Sequence, residues 1–158
     1  GWVLENGALT GNDNPNADPE ILVAIGELAT SIGAADITEI EFITTAFDVS
    51  DGGTLQVRVR FNEAVDVTGT PQLTVVNDSR ANHTLSYASG TGSNELVFSL
   101  TIAAGGGGVI AADDELSIGA NATALNGGTI KDAGTNTAST ITNVASIGTA
   151  AGTITATS

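Results

Sequence analysis

Short segments in which apolar and polar residues alternate strictly constrain the fold of this chain more than any other feature. The clearest one covers residues 54–61 and follows a turn-forming Asp-Gly-Gly triplet at 51–53. Successive side chains of a β-strand point to opposite faces, so the apolar residues of this segment would share one face. The predicted inward residues are Leu55, Val57, Val59 and Phe61, and the outward residues are Gln56, Arg58 and Arg60. The pattern predicts a half-buried strand.

Similar segments recur along much of the chain. Residues 95–102 repeat the alternation, with Leu96, Phe98, Leu100 and Ile102 inward. Shorter segments at 72–76, 83–88, 115–118, 124–130 and 140–147 are separated by turn residues such as Gly, Asn and Pro. Four consecutive glycines at 105–108 interrupt the pattern and predict a mobile loop unless something packs on it. Many short strands of this spacing are typical of an all-β sandwich.

Charge and composition exclude several classes of function. The chain has 158 residues, enough for one core, and its 18 acidic residues face only four basic ones, which gives a net charge of -14. Such a surface repels phosphate backbones, so we expect no nucleic-acid partner. The chain has no Cys, which excludes a disulfide framework. It also has no long apolar run, so no membrane span is predicted.

The segment FNEAVDVTGTPQLTV at residues 61–75 joins one predicted strand to the next through a Thr-Gly-Thr-Pro turn. It resembles the signature of a bacterial immunoglobulin-like repeat of the SwmB type, found in large cell-surface proteins and in phage structural proteins. Two later blocks agree with the resemblance, YASGTGSNELVF at 87–98 and LNGGTIKDA at 125–133. The resemblance implies an all-β, immunoglobulin-like antiparallel β-sandwich. Leu100 departs from the family, which usually has an aromatic residue there.

The resemblance defines three regions. Residues 1–47 are predicted to form an N-terminal arm with extra strands, residues 48–140 the sandwich, and residues 141–158 a C-terminal strand or tail. The arm contains an extended polar stretch at 11–19 and a candidate strand at 39–44. The tail has little apolar mass, so in isolation it should be disordered. We expect both ends to become ordered against neighbouring molecules.

Candidates for catalysis are few. The chain has a single histidine, His83, one tyrosine and one lysine. His83 lies at a predicted loop-to-strand junction, where a surface histidine is the ordinary interpretation, and no nucleophile or orienting carboxylate is recognisable beside it. We therefore predict that the protein is not an enzyme.

Calcium is the one ion that the acidic loops favour, and no other cofactor is predicted. Hard cations bind clustered oxygen ligands, which Asp113, Asp114 and Glu115 would supply after the glycine loop. A weaker candidate is the loop at 12–20, which lacks the central Gly and the terminal bidentate Glu of an EF-hand. Its alternating oxygen donors are Asn12, Asn14, Asn16, Asp18 and Glu20. In each case a solvated loop is the alternative.

The predicted function is that of a non-enzymatic virion structural protein, either a phage capsid decoration or cement protein or a tail-associated protein. It would bind other subunits, such as a capsid shell protein, and form a homo-oligomer or symmetric assembly on the virion surface. The candidate interaction residues are Trp2, Val3, Leu4, Ile21, Leu22 and Val23. The alternative is a repeat of a bacterial cell-surface adhesin or fibre, extracellular and rigidified by calcium. A carbohydrate-binding sandwich is a third class, disfavoured by the scarcity of aromatic residues.

Overall fold

The computed structural model describes Trp2–Val3, Ile21–Val23 and residues 33–158. The chain divides into two compact units, Gly1–Thr30 and Ser31–Ser158. In the first unit, strand β1 (Trp2–Val3) pairs antiparallel with β2 (Ile21–Val23), with Trp2 opposite Val23 and Val3 opposite Ile21. These two strands contain five of the six predicted interaction residues, and Leu4 lies outside the described residues.

The second unit is built on a mixed ten-stranded sheet. Its strands are β3 (Ile37–Phe42), β4 (Phe47–Asp48), β5 (Gly53–Thr68), β6 (Gln72–Asn77), β7 (His83–Ser89), β8 (Ser93–Ile102), β9 (Glu115–Ser117), β10 (Thr123–Ala124), β11 (Thr129–Asp132) and β12 (Ile154–Thr157). One short helix, α1 (Ala145–Ala150), precedes β12. The prediction of an all-β fold is confirmed, and a region predicted to belong to the N-terminal arm contributes β3 to this sheet.

Strand β5 organises the sheet because it pairs along both of its edges. Residues 53–60 pair with β8 on one side and residues 57–61 with β3 on the other. After a register shift between Arg60 and Val65, residues 65–68 pair with β11. The predicted alternation is confirmed, since Leu55, Val57, Val59 and Phe61 are all at most 2% exposed.

The sheet curls so that its two flanks meet. Strands β5, β8, β7 and β6 lie side by side, all antiparallel, in the order of a Greek key. Beyond them, β11 flanks β5 and β10 flanks β6, so a flat sheet would separate β10 from β11 by five strand spacings, about 24 Å. A four-residue turn at 125–128, closed by a hydrogen bond of 2.8 Å from Gly128 N to Leu125 O, joins them instead. Such a turn spans less than about 7 Å, so the sheet must curl around its core.

The C-terminal segment differs from its prediction. Residues 140–147, predicted as a strand, contain one bridge at Thr140 and then lead into α1. The buried Asn143 holds this segment by accepting a hydrogen bond from Ala122 N (2.9 Å) and donating one to Gly119 O (2.9 Å). Gly148 in α1 approaches Ile118 O so closely that a Cβ would not fit. These contacts depend on tertiary structure, which the local alternation of apolar and polar residues does not reveal.

The tail is also ordered within its own chain. Strand β12 lies between β9, to which it is antiparallel, and β4, to which it is parallel. Its two apolar side chains pack into the core, since Ile154 is 4% and Ala156 1% exposed. The expectation that this segment depends on a neighbouring molecule for its order is therefore wrong for residues 154–157.

The glycine loop is packed rather than open. Gly105, Gly106, Gly107 and Gly108 all have positive φ, between 55° and 78°, which only glycine adopts at low cost. Gly106 is buried, and a Cβ there would lie 2.9 Å from Cγ1 of Val49. Gly105 N donates a hydrogen bond of 2.8 Å to Val49 O. The loop thus closes one end of the core.

We predict that Ile154→Ala destabilises the isolated protein by about 2–4 kcal/mol, because it removes a buried side chain and leaves a cavity. Thr155→Ala, one residue further along the same strand and exposed, should change the unfolding free energy by less than about 0.5 kcal/mol. Chemical denaturation of both variants measures the difference. Equal effects would mean that β12 is not packed in solution.

Candidate functional site

The most distinctive polar site lies at the end of β6. We call it the Asn77 cluster and define it as the buried residues Asn77, His83 and Asp114 together with the exposed Arg80. Asn77, His83 and Asp114 are 4%, 3% and 4% exposed. Asn77 is the last residue of β6 and His83 the first of β7, so the loop between them carries Arg80 across the site. Asp114 comes just before β9, which pairs with β6 at Asn77. Sheet pairing therefore brings together residues that are distant in sequence.

Asp114 is the anionic centre of the cluster. Its Oδ2 accepts hydrogen bonds from Asn77 Nδ2 and from Ala111 N, both at 3.0 Å, and lies 3.0 Å from Arg80 Nε. The Asn77 amide contributes most to holding the pKa of Asp114 below its ordinary value, and Ala111 N and Arg80 act in the same direction against the effect of burial. Because three donors bind one oxygen of Asp114, this carboxylate holds the loop that carries Arg80 and the loop that carries Ala111 at the end of the sheet.

His83 is buried, so the expectation of a surface histidine is wrong. It occupies an inward position of β7 opposite Val75, and the alternation continues at Leu85. Its Nε2 lies 3.4 Å from Nδ2 of Asn77, whose Oδ1 already accepts from Ser79 N and Arg80 N. An amide nitrogen can only donate, which makes Nε2 the acceptor and places the ring proton on Nδ1. Burial lowers the pKa of His83 despite the nearby Asp114 charge, in agreement with a neutral imidazole.

The three residues predicted to bind calcium do not point to a common centre. Asp114 is buried in the Asn77 cluster, whereas Asp113, with φ of 67°, and Glu115 are exposed. Within the part of the chain that the structure describes, no group of three His, Cys, Asp or Glu side chains is arranged to hold a metal ion. Calcium at residues 113–115 stays a prediction, and a cation there would compete with Arg80 for Asp114. The loop at 12–20 lies outside the described residues.

A cavity of about 420 Å³ adjoins the cluster and shares His83 with it. Its walls come from β7, β8 and the glycine loop. Leu100, Ile102, Ala103 and Val109 give it an apolar lining, with Thr84 at the polar side. Leu100, predicted to point inward, is only half-buried because it borders this cavity.

The outer face of the sheet carries an ion-pair network. Arg58 Nε lies 2.6 Å from Glu41 Oε1, and Arg60 Nη1 lies 2.9 Å from Glu39 Oε2. Glu95 on β8 contacts both arginines. The residues face one another across neighbouring strands, as the outward positions predicted for Arg58 and Arg60 require. Each exposed pair contributes little by itself, about 1 kcal/mol or less, but the network fixes β3 against β5.

Asn77 and Arg80 were missed as site residues by the sequence analysis. The available signal was the alternation of β6, in which Leu73 and Val75 are followed by a polar residue at the next inward position. A polar residue at such a position must be hydrogen-bonded.

Comparison of the chain with profiles of known protein families, with curated proteins and with solved structures finds no match. Among the described residues, no helix has the length and apolarity to cross a membrane.

We predict that the protein loses stability as the pH falls just below 6.5. The pKa of His83 is lowered in the folded chain, so in this range the unfolded chain binds more protons. The stabilising contribution is complete above the unfolded value of 6.5 and is lost as the pH falls toward the lower folded value. NMR titration is unambiguous because the chain has one histidine. His83→Gln should flatten this part of the pH profile, and a folded pKa at or above 6.5 would contradict the assignment.

Proposed function

We propose that this chain is a non-enzymatic structural protein of the virion surface, a capsid decoration or cement protein whose N-terminal arm binds neighbouring subunits. The observation that carries the proposal is the division of the chain. Residues 1–30 form one compact unit, which contains the strand pair β1–β2, and residues 31–158 form a second unit, which we call the β-domain. That strand pair contains Trp2, Val3 and Ile21–Val23, the apolar residues expected to contact partners.

The fold that we propose for the β-domain is an immunoglobulin-like sandwich. The resembling segment 61–75 runs from the end of β5 through the turn at 69–71 into β6, where the family signature places a strand, a turn and a strand. The Greek-key order of β5, β8, β7 and β6 supports the same assignment, because it occurs in most β-sandwiches. The parallel pairing of β12 with β4 is an addition to that plan.

Strand β3 offers a place for an arm to bind. Among the described residues it pairs with β5 alone, and a groove of about 370 Å³ lies between it and α1, lined by Thr38, Glu39, Ser146, Ile147 and Ala150. Backbone N–H and C=O groups at a sheet edge accept an additional strand. An arm from a neighbouring copy placed there would link subunits through many small contacts, and symmetry would multiply their effect.

The adhesin-repeat alternative is favoured by one specific observation. Strand β12 is packed inside the domain, so residues 154–157 do not form a second arm. A spacer in a tandem array needs such a self-contained domain. In that case the protein is extracellular at the bacterial cell surface and its neighbours are further copies of the same repeat.

Electron microscopy with gold-labelled antibodies against the β-domain distinguishes these functions. The virion proposal predicts label on the shells of purified particles from the source culture. Label on bacterial cell surfaces would support the adhesin alternative and overturn the virion proposal. Absence of label from both surfaces would contradict both assignments.

The arm mechanism has a separate test. We predict that the full chain associates in a concentration-dependent manner in analytical ultracentrifugation, and that Leu22→Asp weakens association at least tenfold. The matched control is Val109→Asp, because Val109 is 49% exposed in the β-domain and does not line the groove beside β3. A full chain that stays monomeric at every concentration, or equal effects of the two variants, would contradict binding between copies through the arm.

A further inference from the structure

The bend of β5 brings two carboxyl groups together away from the Asn77 cluster. Glu63 lies in the irregular part of β5, between the paired residues Arg60 and Val65. Asp132 ends β11 and faces Val65, and Ala133 N donates a hydrogen bond of 2.9 Å to Ala64 O. The Glu63 carboxyl lies within hydrogen-bonding reach of the Asp132 carboxyl. Two residues separated by most of the domain sequence therefore share one site.

The two oxygens of Asp132 have different surroundings. Oδ1 accepts hydrogen bonds from Thr135 N at 2.6 Å and from Thr135 Oγ1 at 2.9 Å, which fix the orientation of the carboxylate. Oδ2 is buried, and among the described residues no donor reaches it. Asp132 as a whole is 1% exposed. A buried carboxylate oxygen without a donor is costly, so we expect a further hydrogen-bond donor or a cation beside it.

The nearest side chain is a second carboxyl group, that of Glu63. Two carboxylates in contact repel unless a proton or a cation lies between them. Lys131 precedes Asp132 on β11, and successive residues of a strand point to opposite faces, so its ammonium group belongs to the other side of the sheet. The hydrogen bonds from Thr135 lower the pKa of Asp132 and keep it ionised.

We propose that Glu63 and Asp132 bind a calcium ion at the bend of β5, independently of the function proposed above. Calcium accepts irregular sets of oxygen ligands at 2.3–2.6 Å and combines carboxylates with backbone carbonyls and water. Glu63 is half-buried, which gives the ion a path from solvent and room for water ligands. Thr135 acts as the outer partner that orients Asp132. The ion neutralises two charges of a strongly acidic chain and fixes the bend against the loop at 132–137.

The test measures calcium binding by the full chain after treatment with EDTA. With only two carboxylate ligands, we expect a Kd of about 10⁻⁴–10⁻³ M by titration calorimetry. Calcium at about 10 mM should then raise the Tm by about 3–10 °C. NaCl and MgCl₂ at equal ionic strength are necessary controls, because screening alone stabilises an acidic protein. A calcium response no larger than that of NaCl would overturn the proposal and indicate a proton shared by the two carboxyls.

Substitutions locate the ion. Glu63→Gln and Asp132→Asn preserve size and remove one charge each, and we expect either to weaken calcium binding more than tenfold. Asp66→Asn, an exposed neighbour on β5, and Asp113→Asn, in the other acidic loop, should leave binding unchanged. Loss of binding in Asp113→Asn with retention in Glu63→Gln would place the ion at residues 113–115 and overturn the proposal.

NMR of the wild-type chain tests the site without any substitution, so a variant that fails to fold cannot affect the result. Calcium added to the wild-type chain should shift the amide signals of residues 63–66 and 132–136 with a single saturation curve. Magnesium should shift them less, because it demands octahedral geometry and loses its water ligands reluctantly. Shifts confined to other parts of the chain would contradict the site.

Discussion

The bent strand β5 is the constraint on which the rest of the β-domain depends. Its inward side chains, from Leu55 to Val65, are almost completely buried, and its backbone pairs on both edges. At the irregular residues between Arg60 and Val65 the outer partner changes from β3 to β11. The irregularity bends the strand, which allows the sheet to curl and the turn at 125–128 to join its flanks.

Non-repetitive structure completes one end of the curled sheet. There the glycine loop packs on Val49, and its left-handed backbone brings Gly106 into the core. Nearby, the Asn77 cluster uses one amide and one carboxylate to connect the loops on either side of β6. A buried polar group that lacks a hydrogen-bond partner destabilises the folded state, so each member of the cluster depends on the others. The cluster therefore has a structural explanation that is complete without a substrate.

Residues with regular alternation were predictable, and residues that depend on distant partners were not. The strands β5 and β8 follow from period-two patterns of eight residues, because their packing is uniform along one face. The segment 140–147 has a similar composition, but Asn143 bonds to Ala122 and Gly119 and prevents a strand. Ile154 and Ala156 were too few to predict order, yet β9 and β4 provide backbone partners on both sides. His83 follows a polar loop in sequence, but it occupies an inward position of β7 opposite Val75 and is therefore buried.

The same distinction between local pattern and distant partners applies to the site residues. Asp113, Asp114 and Glu115 form a cluster in sequence, but Asp114 is committed to Asn77 and Arg80 while its neighbours are exposed. Glu63 and Asp132 are 69 residues apart (132 − 63) and meet only because β11 pairs with β5. Each residue lies in a segment whose local pattern gives no sign of the other, so the sequence did not show that they are in contact.

The distribution of charge connects the fold to the function that we propose. Arg58 and Arg60 neutralise glutamates on the outer face, and Arg80 neutralises Asp114. That leaves one basic residue, Lys131, for the other acidic groups of a chain with a net charge of -14. Repulsion between those groups opposes both folding and association, and it weakens when cations or oppositely charged partners are present. A chain of this composition associates best where an oppositely charged surface or a divalent ion reduces its charge, a condition that the role we propose would meet.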